Sequence, residues 1–303
     1  MRGTLPARYA VPMNDPANER FRRVLDHVDT HLDDGLSLEV LARVAAYSPH
    51  HFHRRFSALA GMSVHRYVQL SRFKRAAWQA AFRREVSLID VALDAGYESP
   101  EAFSRAFRQR LGQSPAAFRD APDWRVWATA WRELDEVRRF HMSTPFRLDD
   151  VRIVDFPDTP VACLSHVGPP ERIGESIRRF IAWRRANDLP PARHATWNVL
   201  HDDPETTPPE RYRLDLCVSC GSVAPNDAGI TAARLSGGRC AVLRHEGSDA
   251  LLGDAIRFLY GEWLTESGEE PGDAPLFLRR VAFFPDVPEH EAVVDIYLPL
   301  RPR

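Results

Sequence analysis

From Phe21 to Phe118 apolar residues recur at three- and four-residue spacing, the period of an amphipathic helix. Phe21, Val24, Leu25, Val28 and Leu32 make one apolar face, and Asp33-Asp34-Gly35 ends it. Serines then punctuate the chain at predicted helix starts. Ser37 caps Leu38 to Ala45, Ser63 caps a long helix to about Arg84, and Ser87 caps Leu88 to Ala95. Ser48-Pro49, Ser99-Pro100 and Ser114-Pro115 add proline at the first helical position, with Gly61 and Gly112 as stops. Beyond residue 147 the period changes to short apolar strand-like runs, each module carrying one amphipathic helix.

Both regions repeat internally. Ala42, Ala45, Ala46 and Tyr47 return as Ala92, Ala95, Gly96 and Tyr97; Phe52, Arg54, Phe56, Gly61 and Ser63 return as Phe103, Arg105, Phe107, Gly112 and Ser114. The second set is offset by one residue more, which places an insertion in the turn of the second copy. Each copy reads as short helix, tight turn, second helix. Farther on, Ala162, Leu164, His166 and Gly168 return as Ala241, Leu243, His245 and Gly247, and Ile177 as Ile256. Strand runs with one helix per module suggest an α+β domain of two related halves, with a ligand cleft between them.

The expected architecture is therefore two domains in 303 residues. Residues 1–18 form a flexible lead-in, 19–120 an all-α tandem helix-turn-helix domain, 121–146 a helical connector and 147–303 the α+β domain. In the connector Trp124, Trp127 and Trp131 share one face of a predicted helix, suited to docking on a domain surface or to relaying ligand state between domains. Charge follows the division: 16 basic and 11 acidic residues between 20 and 120 give +5, whereas 22 and 29 beyond 120 give −7. A basic reader joined to an acidic second domain fits a nucleic-acid partner. The N-terminus has no apolar signal core, no run is long enough to span a membrane, and four cysteines suit reduced thiols, so a cytoplasmic protein is expected.

Two second helices joined by about 20 residues of helix lie about 30 Å apart, close to the roughly 34 Å turn of B-DNA. One chain could then read successive major grooves of double-stranded DNA as a monomer. Here the residues carry a resemblance. Leu38 to Ala45, Tyr47-Ser48, Phe52, Arg54, Phe56, Gly61, Ser63, Tyr67, Arg72 and Ala76 continue into Ile89, Ala92, Ala95-Gly96-Tyr97, Ser99, Phe103, Phe107, Gly112, Pro115 and Arg119. Across residues 20–119 this resembles the DNA-binding domain of the AraC/XylS transcription regulators. The resemblance implies that His50, His53 and Arg54 face bases from the first reader, and Pro100, Glu101, Ser104 and Arg105 from the second. Ala46 stands where the family usually has Gly, so a left-handed turn there would strain it and shift the first reader. Arg55, Arg66, Arg72 and Arg75 are read as phosphate contacts or solvated face. His50, His51 and His53 lack a Cys or carboxylate to complete a metal set, and no metal or cofactor is expected.

Residues 147–300 resemble the GyrI-like effector-binding fold, on Val151-Arg152-Ile153-Val154, residues 161–169, 201–204, 211–217, 237–242 and Asp295-Ile296-Tyr297-Leu298-Pro299-Leu300. That implies a small hydrophobic effector in the cleft. Trp183, Trp197, Phe258, Tyr260, Trp263, Phe277 and Tyr297 are the candidate aromatic lining. Cation-sensing members carry a glutamate after Pro-x-Phe; here Pro275-Leu276-Phe277 is followed by Leu278, which favours a neutral or differently shaped ligand, and Pro170 also replaces a usual tyrosine. Cys217-x-x-Cys220 lies on a predicted strand and reads as structural thiols.

The function expected is an effector-controlled, sequence-specific transcription regulator, non-enzymatic, with RNA polymerase a candidate partner. Two rivals stand beside it: a ligand-independent regulator whose C-terminal half docks proteins, and a small-molecule hydrolase with Glu175, Asp215 or Glu246 as base.

Overall fold

The computed structural model describes residues 16–142 and 146–302. Most of the expected lead-in lies outside the described residues, but Pro16 to Asn18 already belong to the first helix. The chain divides into two compact units, one of residues 1–122 with 129–144, the other of 123–128 with 145–303.

The first unit is helical: α1 (Pro16–Thr30), α2 (Leu38–Val44), α3 (Pro49–Ala60), α4 (Val64–Phe82), α5 (Leu88–Asp94), α6 (Pro100–Leu111) and α7 (Pro115–Asp120). The serine signals act as expected. Ser37, Ser48, Ser63, Ser87, Ser99 and Ser114 each accept a hydrogen bond from the backbone N–H three residues on, at 3.0–3.4 Å. Gly61 and Gly112 close α3 and α6 at φ 67° and 71°.

The tryptophan stripe does not form one helix. It breaks at Trp131 into α8 (Trp124–Ala130) and α9 (Arg132–Met142). Trp124 packs on Gly174 in the second unit, so closely that a Cβ there would come within 2.4 Å of the indole. Trp131 instead packs on Phe73, with ring centroids 6.0 Å apart. Helix α9 completes the core of the first helix-turn-helix: Leu134 and Val137 join Phe21, Leu25, Phe52, Phe56 and Tyr67. Its Arg138 donates to Asp29 at 2.6 Å and to the Tyr67 hydroxyl at 3.2 Å, all three buried. Burial alone would lower the Arg138 pKa, but Asp29 and then Tyr67 raise it, so the guanidinium stays charged within the core.

The second unit is an eight-stranded antiparallel sheet of β1 (Val151–Phe156), β2 (Thr159–Val167), β3 (Thr196–Leu200), β4 (Arg213–Ser219), β5 (Thr231–Leu235), β6 (Gly238–Glu246), β7 (Leu276–Ala282) and β8 (Val293–Pro299), in the order β1-β6-β8-β7-β3-β4-β2-β5. Two modules are visible: β1-β2-β3-β4 with α10 (Ile173–Ala186), and β5-β6-β7-β8 with α11 (Leu252–Phe258). Each donates its first strand to the other: β1 pairs with β6, and β5 with β2. Two residues separate β1 from β2, yet they stand first and seventh in the sheet. Six strand spacings would be about 29 Å in a flat sheet, and so short a link reaches about 11 Å. The sheet therefore curls until its ends approach. Where they meet, Gly237 N–H donates to Asp158 at 2.7 Å, and a Cβ on Gly237 would sit 2.8 Å from the Asp158 backbone nitrogen.

Candidate functional site

The two helix-turn-helix copies close their turns by the same bonds. Ala46 N–H donates to Arg43 O and Tyr47 N–H to Ala42 O; Gly96 donates to Leu93 O and Tyr97 to Ala92 O, all at 2.8–3.1 Å. This is the Schellman geometry, and it needs a left-handed residue. Gly96 supplies φ 80° and Ala46 is held at φ 53°. The strain expected at Ala46 is present, and the turn is kept despite it. The inserted residue is Glu98, absorbed by Ser99 at φ −147° against −67° at Ser48.

On α3, Phe52, Phe56 and Ala60 point inward, while His50, His51, His53, Arg54 and Arg55 are exposed. On α6, Phe103, Phe107 and Leu111 are buried, Pro100, Glu101 and Arg105 are exposed, and Ser104 is half-buried. Each second helix thus presents its candidate side chains on the face opposite its core. Linker helix α4 has 19 residues, about 28 Å.

Arg72 and Arg75 of that linker are half-buried braces. Arg72 donates to Leu32 O at 2.6 Å and Asp34 O at 2.7 Å, and its guanidinium lies against Gly96. Arg75 pairs with Asp33 and donates to Asp94 O at 3.1 Å. Together they tie the turn ahead of the first copy to the turn of the second. Arg66 is exposed and pairs with Glu133 at 2.8 Å; Arg55 lies over the Tyr47 ring.

In the second unit strand alternation splits the sheet. One face lies under the helices: Ala162, Leu164, Leu216 and Val218 pack with Phe180 and Trp183 of α10, and Leu243, Ile296 and Leu298 with Phe258 and Trp263. The other face is the inside of the curl. It carries Phe156, Trp197, Phe277 and Tyr297, whose ring centroids all lie 4.9–6.0 Å from one another, with Phe277 and Tyr297 stacked at 7°. Burial is the main cause that raises the Tyr297 pKa, so its hydroxyl stays protonated. Two buried carboxylates share this face. Asp215 takes Ser165 at 2.5 Å, His201 at 2.7 Å and Arg213 at 3.0 Å, while Asp295 takes both arms of Arg244 at 2.7 and 3.0 Å. Burial opposes ionisation of Asp215, but these hydrogen bonds outweigh it and lower its pKa.

Residues 149–301 match the family described as GyrI-like small molecule binding domain, and 41–121 match a helix-turn-helix domain. The chain belongs to the GyrI-like family. With its helix-turn-helix half, of AraC type, it is a DNA-binding transcription regulator. The chain is 38% identical over 153 residues to the probable transcriptional regulator YgiV of Escherichia coli K12, covering 50% of this chain and 96% of that protein. It is 26% identical over 195 residues to the right origin-binding protein of the same strain, covering 64% of this chain and 61% of the other. The solved DNA-binding domain of AdpA, in complex with a target DNA, is 33% identical over 36% of this chain and 93% of that one, at a TM-score of 0.31.

Within the GyrI-like domain the seven candidate aromatics separate. Trp197, Phe277 and Tyr297 meet on the inner face. Trp183, Phe258 and Trp263 are core beneath the helices, and Tyr260 is 47% exposed on the helix side. These four do not join the inner set, because all lie on helical segments on the sheet's other face. Phe156 was missed: it ends β1, and only the strand exchange brings it to Trp197. The inner carboxylates were also missed as a group, although period-two spacing from Tyr297 to Asp295 was readable.

The repeated His-x-Gly is structural. His166 bonds Ser176 at 2.9 Å, and His245 meets the Ser248 carbonyl at 3.1 Å, each holding the turn into its helix. Cys217 lies opposite Cys163 on β2 rather than beside Cys220, and all four cysteines are free. Among the described residues no group of His, Cys, Asp and Glu is arranged to hold a metal, and no helix is long and apolar enough to cross a membrane.

Proposed function

We propose that one chain reads an asymmetric DNA site with α3 and α6, and that a small effector held on the inner face of the curled sheet controls it. His50, His53 and Arg54 are the base-facing set of the first reader; Pro100, Glu101, Ser104 and Arg105 are that of the second. Arginine reads guanine through two hydrogen bonds, worth about 1–3 kcal/mol of discrimination. The observation that carries this reading is the paired geometry: two turns closed by the same backbone bonds, each followed by a helix with an aromatic inner face and a polar outer one. A duplex-selection experiment with the full chain tests it. The reading expects recovered sites with two short motifs about one helical turn apart and one chain bound per duplex; a strictly two-fold symmetric site bound only by dimers would contradict it.

The effector seat is Trp197, Phe277, Tyr297 and Phe156. Control works by population shift, the effector favouring a conformer that differs in affinity for DNA or for a partner such as RNA polymerase. We place the protein in the cytoplasm and assign it no reaction. Glu175 is engaged by Arg172 at 2.9 Å on the surface and Asp215 by three donors, so two of the three bases a hydrolase could use are already held in hydrogen bonds. One observation favours a ligand-independent regulator instead: the four inner rings already touch one another. Calorimetric titration of the full chain with planar apolar compounds decides between them, since a ring cluster that is simply core takes up none.

A further inference from the structure

The inner face carries more positive than negative side chains, and the surplus is placed at the rings. Four arginines share it: Arg152 on β1, Arg213 on β4, Arg244 on β6 and Arg279 on β7, against Asp215, Asp295 and Glu246. Arg213 is paired with Asp215 and Arg244 with Asp295, and Glu246 lies beyond them toward the end of β6. Arg152 and Arg279 have no carboxylate within ion-pair distance among the described residues, and both are exposed. Both stand beside the rings in the sheet: Arg279 is the register partner of Trp197 on β3, and Arg152 that of Val242, itself the partner of Tyr297. The Arg279 guanidinium also lies 5.8 Å from the centre of the Trp197 ring. The Tyr297 O–H is a donor of its own. Two guanidiniums and that O–H therefore form a donor set beside an apolar wall of Trp197, Phe277 and Phe156.

We infer that the effector of this site is a planar apolar molecule bearing an anionic head, a carboxylate or another oxyanion, held by Arg279, Arg152 and the Tyr297 hydroxyl while its body lies on the rings. This rests on the reading of the inner face as the effector seat and fixes the ligand's charge. Desolvating two guanidiniums against aromatic rings costs free energy unless an anion is paired with them, so an ammonium there would add repulsion to that cost. Leu278, which follows Pro275-Leu276-Phe277, points to the helix side and offers a cation nothing.

The test is calorimetric titration of the full chain with three probes of one shape: 2-naphthoate, 2-naphthamide and 2-naphthylmethylammonium. The expected order is naphthoate tightest, by at least about tenfold over the amide, with the ammonium weakest and the advantage shrinking as salt is raised. Arg279→Gln and Arg152→Gln each narrow the gap between naphthoate and naphthamide to under threefold, with an unchanged melting temperature as the check on folding. If the amide equals the naphthoate, or the ammonium binds best, the charge assignment falls while the effector seat stands. If none of the three binds, both fall.

Discussion

The two helix-turn-helix copies share their turns, caps and inner phenylalanines but are held in place differently. The second copy is closed by near neighbours: Phe107 meets Phe118 of α7 at 5.2 Å, and Phe73 reaches Phe103, Phe107 and Trp131. The first borrows elements from both ends of the unit, α1 and α9, and closes over the ion pair between Asp29 and Arg138, 109 residues apart. Duplication thus fixed the reading geometry, and each copy found its own packing partners. The first copy also tolerates a strained Ala46 where the second has Gly96.

Breaking the distant ion pair should have the largest effect. Arg138→Leu leaves Asp29 buried without its cation and costs about 3–5 kcal/mol in urea unfolding of the full chain. An unchanged midpoint would show that α9 is dispensable. By the same argument a fragment cut at residue 120 loses the helix that completes the first copy. Next come the readers. Arg54→Ala and Arg105→Ala each weaken binding to the selected site by about 1–3 kcal/mol and relax preference at different base positions, read by competition with single-base variants. If both relax the same position, the two helices do not read separate segments.

The turn residue separates the copies more finely. Gly96→Ala adds a left-handed alanine and a Cβ 3.0 Å from an Arg72 nitrogen, and costs about 1–2 kcal/mol. Ala46→Gly relieves the strain and gains about 0.5–1 kcal/mol. A loss on Ala46→Gly would contradict a strained turn. The smallest effect is in pH. Burial lowers the pKa of His141, which packs beside Phe21 in the first copy. Its unfolded form therefore binds protons first as pH falls below about 6.5, and the stability it contributes is complete above that value and lost toward the lower folded pKa. Melting temperatures of the full chain should fall between pH 7.5 and 5.5, less steeply in His141→Gln.

How much of this was legible follows from the range of each signal. The six serine caps, Gly61, Gly112 and the extra residue at Glu98 are local chemistry, and the sequence carries them. So are both repeats and the fold class. What escaped depends on pairing across the chain: Arg138 with Asp29, Arg72 with Leu32 O and Gly96, Phe156 with Trp197 through exchanged strands. The tryptophan stripe misled for a related reason. Its spacing is helical, but the chain turns at Trp131 because Trp124 and Trp131 pack in different units. Aromatic type alone could not tell the inner face from the core, since Trp183 of α10 and Trp197 of β3 are both buried, on opposite faces of the sheet.

The central claim is that one polypeptide holds two dissimilar readers at a fixed spacing on one duplex. Hydroxyl-radical footprinting of the full chain on its selected site measures that directly. Two protected patches on one side of the duplex, about 10 base pairs apart and saturating together at one chain per site, are the expected result. Protection of a single patch, or none above that on random DNA, would contradict it.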